Sequence, residues 1–214
     1  MKVQKEIVFQ GIPDKSEYKE TTSIKFKEDL IEFFNDSKFK NKTVLELGTN
    51  HGHTTRILSF LFENVITMDW REEPNLRMAR ELNHDRDNIT YIQKNVYEED
   101  WHIDETIDVF FIDCVHDYDN VYSDIVNCCN ISKGISYFIF DDYGLGGYYH
   151  GGGVKAAVDF FIDEIQGFDI ITNIGHSAGE TVRQGKEFLD SEGLVCKYDN
   201  TWVMSQLENG EEVL

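Results

Sequence analysis

Between residues 43 and 164, short apolar runs alternate with helix-patterned segments, and this alternation narrows the fold more than any other feature of the chain. Strand-like runs fall at 43–48, 64–69, 89–95, 108–114 and 135–141. Helical patterns fall between and after them, at 54–62, 75–83, 120–129 and 153–164, with Pro74 suited to the first turn of the second. The runs Val109-Phe110-Phe111-Ile112 and Tyr137-Phe138-Ile139-Phe140 are apolar on both faces, as central parallel strands covered on each side by helices must be. The expectation is a doubly wound α/β sheet. A further amphipathic helix is expected at 23–34, capped by Ser23.

The pattern changes towards the C-terminus. Residues 168–174, 194–198 and 201–205 read as strands, the last two joined by a turn at 198–201, so an antiparallel hairpin should close the sheet. The polar stretch 177–193 carries no periodicity that assigns it. Residues 1–22 read as an arm or lid, and 23–214 as one domain, which suits a chain of 214 residues.

Charge limits the partners. Forty acidic residues against 20 basic ones give a formal charge of −20, which repels nucleic-acid phosphates and anionic lipid. No apolar run is long enough to span a bilayer, and residues 1–6 lead into no signal region. Cys114, Cys128, Cys129 and Cys196 form no C-x-x-C pair and read as free thiols, so a cytoplasmic setting is expected.

The first strand ends in a distinctive turn, Val44-Leu45-Glu46-Leu47-Gly48-Thr49-Asn50-His51-Gly52-His53-Thr54-Thr55. Gly48 can take a positive φ, Gly52 lets the backbone approach a ligand, and the following helix offers free N–H groups. Glu46 before the glycines would repel a pyrophosphate but attract a cationic amino group. In open α/β sheets ligands bind beyond the carboxyl ends of strands. Asp69 ends the second strand, where a carboxylate can accept both hydroxyls of a ribose. Trp70 beside it either packs on an adenine or caps the core. Asn95 ends the third strand and either contacts an adenine or makes an ordinary turn.

The pattern E-x-G-x-x-x-G resembles motif I of the class I S-adenosylmethionine-dependent methyltransferases. Phe111-Ile112-Asp113-Cys114-Val115-His116-Asp117-Tyr118 and Phe140-Asp141-Asp142-Tyr143-Gly144 resemble segments of the small-molecule O-methyltransferase group that includes macrolide-sugar enzymes, although Cys114 stands where glycine is usual. The resemblance implies a seven-stranded, mostly parallel Rossmann-like sheet. It implies cofactor contacts from Glu46, Gly48, Thr49, Asn50, Gly52, Thr54, Asp69, Trp70, Asn95 and Asp113. It also implies a magnesium ion on Asp113, Asp141 and Asp142, since a hard cation relieves crowded carboxylates.

His116 is the candidate general base, its ordinary pKa near 6.5 suiting proton removal near neutrality, with Asp113 beside it. His150, in the aromatic and glycine-rich stretch 148–153, is the second candidate. His51 and His53 have i, i+2 spacing, but packing or cofactor contact suits them better than metal ligation. The leading expectation is O-methylation of a small hydroxylated molecule, with a homodimer open. Two alternatives stand: an NAD-dependent oxidoreductase, which Asp69 fits and Glu46 does not, and a non-catalytic nucleoside-binding or scaffold protein of the same fold.

Overall fold

The computed structural model describes residues 5–15, 17–97, 101–144, 153–165, 167–183 and 186–201; of these, the side chains of residues 5, 178–183 and 186–190 are left undescribed. Six α-helices and seven strands follow in chain order: α1 (Lys5–Val8), α2 (Ile24–Phe34), β1 (Thr43–Leu47), α3 (His53–Leu61), β2 (Asn64–Asp69), α4 (Arg77–Leu82), β3 (Ile89–Gln93), β4 (Val109–Ile112), α5 (Tyr118–Ile131), β5 (Ile135–Phe140), α6 (Gly153–Glu164), β6 (Phe168–Arg183) and β7 (Lys186–Asp199). The strands form one seven-stranded sheet in the order β3-β2-β1-β4-β5-β7-β6. The doubly wound Rossmann-like sheet expected from the alternation is therefore present. None of the described helices is long and apolar enough to cross a membrane.

The chain divides into two compact units. The first comprises Met1–Glu105 with Ile174–His176. Here β1 runs parallel to β2, with Glu46 opposite Thr67, and β2 runs parallel to β3. All five residues of β1 are buried, as a strand covered on both faces requires. Helix α2 begins as expected: the Ser23 hydroxyl accepts from the Phe26 N–H at 3.0 Å. Its apolar side places Phe26, Leu30, Ile31 and Phe34 in the core. Helix α4 is shorter than its sequence pattern. A π-type turn, Glu72–Leu76, precedes it and contains Pro74, so this proline lies outside the helix it was expected to start.

The second unit comprises Thr106–Asn173 with Ser177–Leu214. Strands β4 and β5 are parallel, and β5 pairs antiparallel with β7 from Ile135↔Asp199 to Phe140↔Leu194. Its core is largely aromatic: the Phe110 and Phe138 ring centroids lie 4.8 Å apart, Phe138 and Phe168 5.1 Å, and Phe168 and Tyr198 4.6 Å. Such offset ring packing adds to plain area burial.

The C-terminal antiparallel segment is real, but other residues build it. The expected turn at 198–201 is not a hairpin: β7 continues to Asp199, whose carboxylate accepts from the Thr201 N–H at 3.0 Å, and Asn200 and Thr201 are helical. The antiparallel strands are instead β6 and β7, and most of the polar stretch 177–193 is extended. Residues 202–205, the rest of the expected last strand, lie outside the described residues.

Candidate functional site

In the first unit, the turn after β1 is held by backbone bonds. The N–H groups of Gly48 and Thr49 both donate to the Met68 carbonyl, at 2.9 and 3.2 Å. Gly48 has φ +96°, a region open to glycine at little cost. Glu46 is fully buried. Its Oε2 accepts from the hydroxyls of Thr55 at 2.5 Å and Thr67 at 2.6 Å, and the Thr67 hydroxyl also meets that of Thr49 at 2.6 Å. Two threonines, from β2 and α3, thus donate to one carboxylate while Thr49 of the turn bonds the first of them, and hydroxyl donors stabilise its charged form. Thr55 and Thr67 escaped the sequence reading. The register that sets Thr67 opposite Glu46 was the available signal.

Asp69 is 7% exposed and held at both oxygens. The Asn50 N–H donates to Oδ2 and the Arg71 N–H to Oδ1, each at 2.9 Å, and Asn75 Nδ2 reaches both, at 3.1 and 3.3 Å. Asn50 makes its bond from φ +45°, so the turn's strained residue is the one that orients the acid. Trp70 is 62% exposed with the Arg71 guanidinium 4.4 Å from its ring centre, which removes the core-capping alternative. Asn95 is exposed and its Oδ1 accepts from the Tyr97 N–H at 3.2 Å, the ordinary turn alternative.

Gly52 has a different reason to be glycine from the one expected. A Cβ there would lie 2.7 Å from the Ala79 Cβ and 2.8 Å from both Ala79 Cα and Asn83 Nδ2. The space beside it is filled by α4, not left for a ligand. It starts α3 at φ +78° without any side-chain cap.

Residues 18–22 lie against the same turn. The Glu20 carbonyl accepts from Asn50 Nδ2 at 2.7 Å, the Thr21 hydroxyl meets His53 Nδ1 at 3.2 Å, and the Thr22 hydroxyl meets that of Thr54 at 3.4 Å. The Tyr18 ring stacks on His51 with centroids 5.3 Å apart and meets His53 edge-on. Burial, then the charges of Lys27 and His51, push the His53 pKa down to about 4, so its ring is neutral at pH 7. His51 and His53 are engaged in this packing, as expected.

In the second unit, His116 stands between two acids. Its Nε2 lies 3.2 Å from Asp113 Oδ1 and its Nδ1 3.5 Å from Asp142 Oδ2. Asp117 caps α5, accepting from the Asn120 N–H at 3.0 Å. Among non-glycine described residues, positive φ occurs at Asn50, His102 and Asp142, so Cys114 occupies an ordinary backbone conformation and the position does not demand glycine. Burial pushes the Cys129 thiol up to about 12 and that of Cys128 well above its usual value, so both are inert at neutral pH.

The expected magnesium set is not assembled. Among the described residues no group of three His, Cys, Asp or Glu is arranged to hold a metal ion. Asp113 and Asp142 flank an imidazole instead, and Asp141 is buried, its N–H donating to the Ile112 carbonyl at 3.2 Å. His150 and its neighbours lie outside the described residues.

Comparison with known proteins supports the same reading. A family model described as a methyltransferase domain matches residues 45–143, the span from Glu46's strand to the Asp141-Asp142-Tyr143 turn. No curated protein matches the chain in sequence. Among solved structures, cofactor-bound Rv0187 from MTB is 14% identical with a TM-score of 0.65, covering 92% of this chain and 95% of its own. The S-adenosylmethionine-dependent O-methyltransferase from Thermotoga maritima is 13% identical with a TM-score of 0.59, covering 86% and 69%. An rRNA methylase from Streptococcus thermophilus is 13% identical with a TM-score of 0.50, covering 75% and 87%. These likenesses bear on the fold alone, and the family match bears on the class: residues 45–143 match a methyltransferase domain.

Proposed function

We propose that this chain transfers a methyl group to the oxygen of a small hydroxylated molecule. The observation that carries the reading is the His116 imidazole bonded at Nε2 to Asp113 at 3.2 Å, with Nδ1, 3.5 Å from Asp142, as the nitrogen that would take a proton from a hydroxyl. When bound, S-adenosylmethionine supplies an electrophilic methyl group on a cationic sulfur.

The residues of the first unit fit that cofactor. A buried carboxylate at Glu46 suits its ammonium group, and Asp69, already oriented by two backbone N–H groups, suits its ribose. Exposed Trp70 offers a face for the adenine. Gly48, Thr49, Asn50 and Thr54 shape the turn, while Gly52 serves it through packing. The segment before Ser23 acts as a lid, since Tyr18 to Thr22 touch the turn through side chains and one carbonyl.

In the second unit, His116 would take the proton of the acceptor hydroxyl, readying that oxygen for the methyl group the cofactor would supply. Asp113 and Asp142 hold the ring and stabilise the imidazolium that forms. Among the described residues no metal-ligand set is assembled. A formal charge of −20 disfavours RNA as the acceptor, because phosphate contacts dominate such binding. Glu46 disfavours the dinucleotide reading, because its charge would repel a diphosphate.

The test is transfer of labelled methyl from S-adenosylmethionine to a panel of catechols, phenols and sugars. A product is expected with wild type, with kcat lowered about 100-fold or more in His116→Asn. Full activity in His116→Asn removes the proposed base. Methylation of rRNA but of no small molecule overturns the acceptor class.

A further inference from the structure

Helix α6 begins against the loop that carries His116. A Cβ at Gly153 would lie 2.4 Å from the His116 carbonyl oxygen, 2.6 Å from the Tyr118 nitrogen and 2.7 Å from the Asp117 carbonyl carbon. All three are backbone atoms, which cannot swing aside as a flexible side-chain end can. Two residues on, the same helix reaches the turn on the other side of the histidine. Lys155 Nζ donates to the Tyr143 hydroxyl at 3.3 Å, and that hydroxyl donates to Asp159 Oδ1 at 2.9 Å. Tyr143 is 1% exposed and adjoins Asp142, which holds φ +52°. The Tyr143 N–H donates to the Glu192 carbonyl at 2.9 Å, fixing the turn to β7.

We infer that Gly153 is a positioning residue: its missing side chain lets α6 seat on the His116 backbone, while the Lys155–Tyr143–Asp159 network on the same helix holds the Asp142 turn, so that one helix sets both sides of the imidazole. Each anchor fixes the backbone from which the ring or its acid partner projects. This rests on the proposed role of His116 for its catalytic meaning, but not for its geometry.

The experiment is NMR of protein labelled with 15N-histidine at a fixed pH of about 7, with the His116 ring N–H signal assigned by its loss in His116→Asn. Gly153→Ala is expected to shift this signal and to speed its hydrogen exchange about tenfold or more, as opened hydrogen bonds do. Alanine is the better helix former, so a loss cannot come from helix propensity. Gly134→Ala is the control: Gly134 has φ +97° and nothing within 4 Å, so it imposes backbone strain without contact and should leave the signal in place. If Gly153→Ala does not fold, Tyr143→Phe takes its place, with the same direction expected and Asp159→Asn retaining part of the signal as the milder variant. In parallel, kcat should fall while the KM for S-adenosylmethionine holds. An unchanged His116 signal in folded Gly153→Ala, or in folded Tyr143→Phe if that variant replaces it, overturns the inference. Full methyl transfer in His116→Asn instead overturns the base role and leaves the positioning result standing.

Discussion

Glu46 and His53 show how single residues are tuned by what surrounds them. Glu46 lies in a strand buried along its whole length, where an ionised carboxylate without donors would cost several kcal/mol. Threonine hydroxyls from an adjacent strand and from α3 supply those donors. His53 meets the opposite surroundings: burial, with Lys27 and His51 nearby, favours its neutral form and sets its pKa at about 4. The unfolded chain takes up a proton at this residue near pH 6.5, whereas the folded protein waits until about 4. Between those values the unfolded state binds more protons, so this residue's contribution to stability falls as pH drops from 6.5 towards 4. Thermal melting at pH 7 and pH 5 should show a smaller acid loss in His53→Gln than in wild type. Equal losses would remove His53 as the source.

At the scale of elements, the strand–turn–helix corner depends on helix α4 as much as on the turn. Gly52→Ala would meet Ala79 and Asn83 below 3 Å and would force alanine into φ +78°. Left-handed strain of about 1–2 kcal/mol and overpacking of about 1–3 kcal/mol add to an expected loss of about 2–5 kcal/mol in urea unfolding. A change under about 0.5 kcal/mol would show that α4 yields, and that the glycine serves the ligand after all. Helix α3 and the strands were legible because their apolar periods are long and uninterrupted. The ends of α4 were not, since the π-type turn at Glu72–Leu76 looks helical in its side-chain pattern. The antiparallel hairpin was misplaced for a related reason. Polar residues in 177–193 show no apolar alternation, yet most of that stretch is extended.

For the whole molecule, alternating strands and helices made the fold class readable, and the glycines after β1 made the strand–turn–helix corner readable. What could not be read were contacts that topology creates: Thr67 across from Glu46, Asn75 folded back to Asp69, Gly153 against the His116 loop. None has a fixed spacing from its partner in a linear motif. Among the described residues Asp113, Asp141 and Asp142 are not grouped as a metal-ligand set. In the proposed function the turn after β1 binds an adenosyl cofactor through Glu46 and Asp69. Titration calorimetry with S-adenosylhomocysteine tests it most directly. Saturable one-to-one binding to wild type is expected, weakened about tenfold or more in Glu46→Gln and in Asp69→Asn, as loss of a charge-assisted hydrogen bond requires. Absence of binding to wild type, or equal affinity in all three proteins, would contradict it.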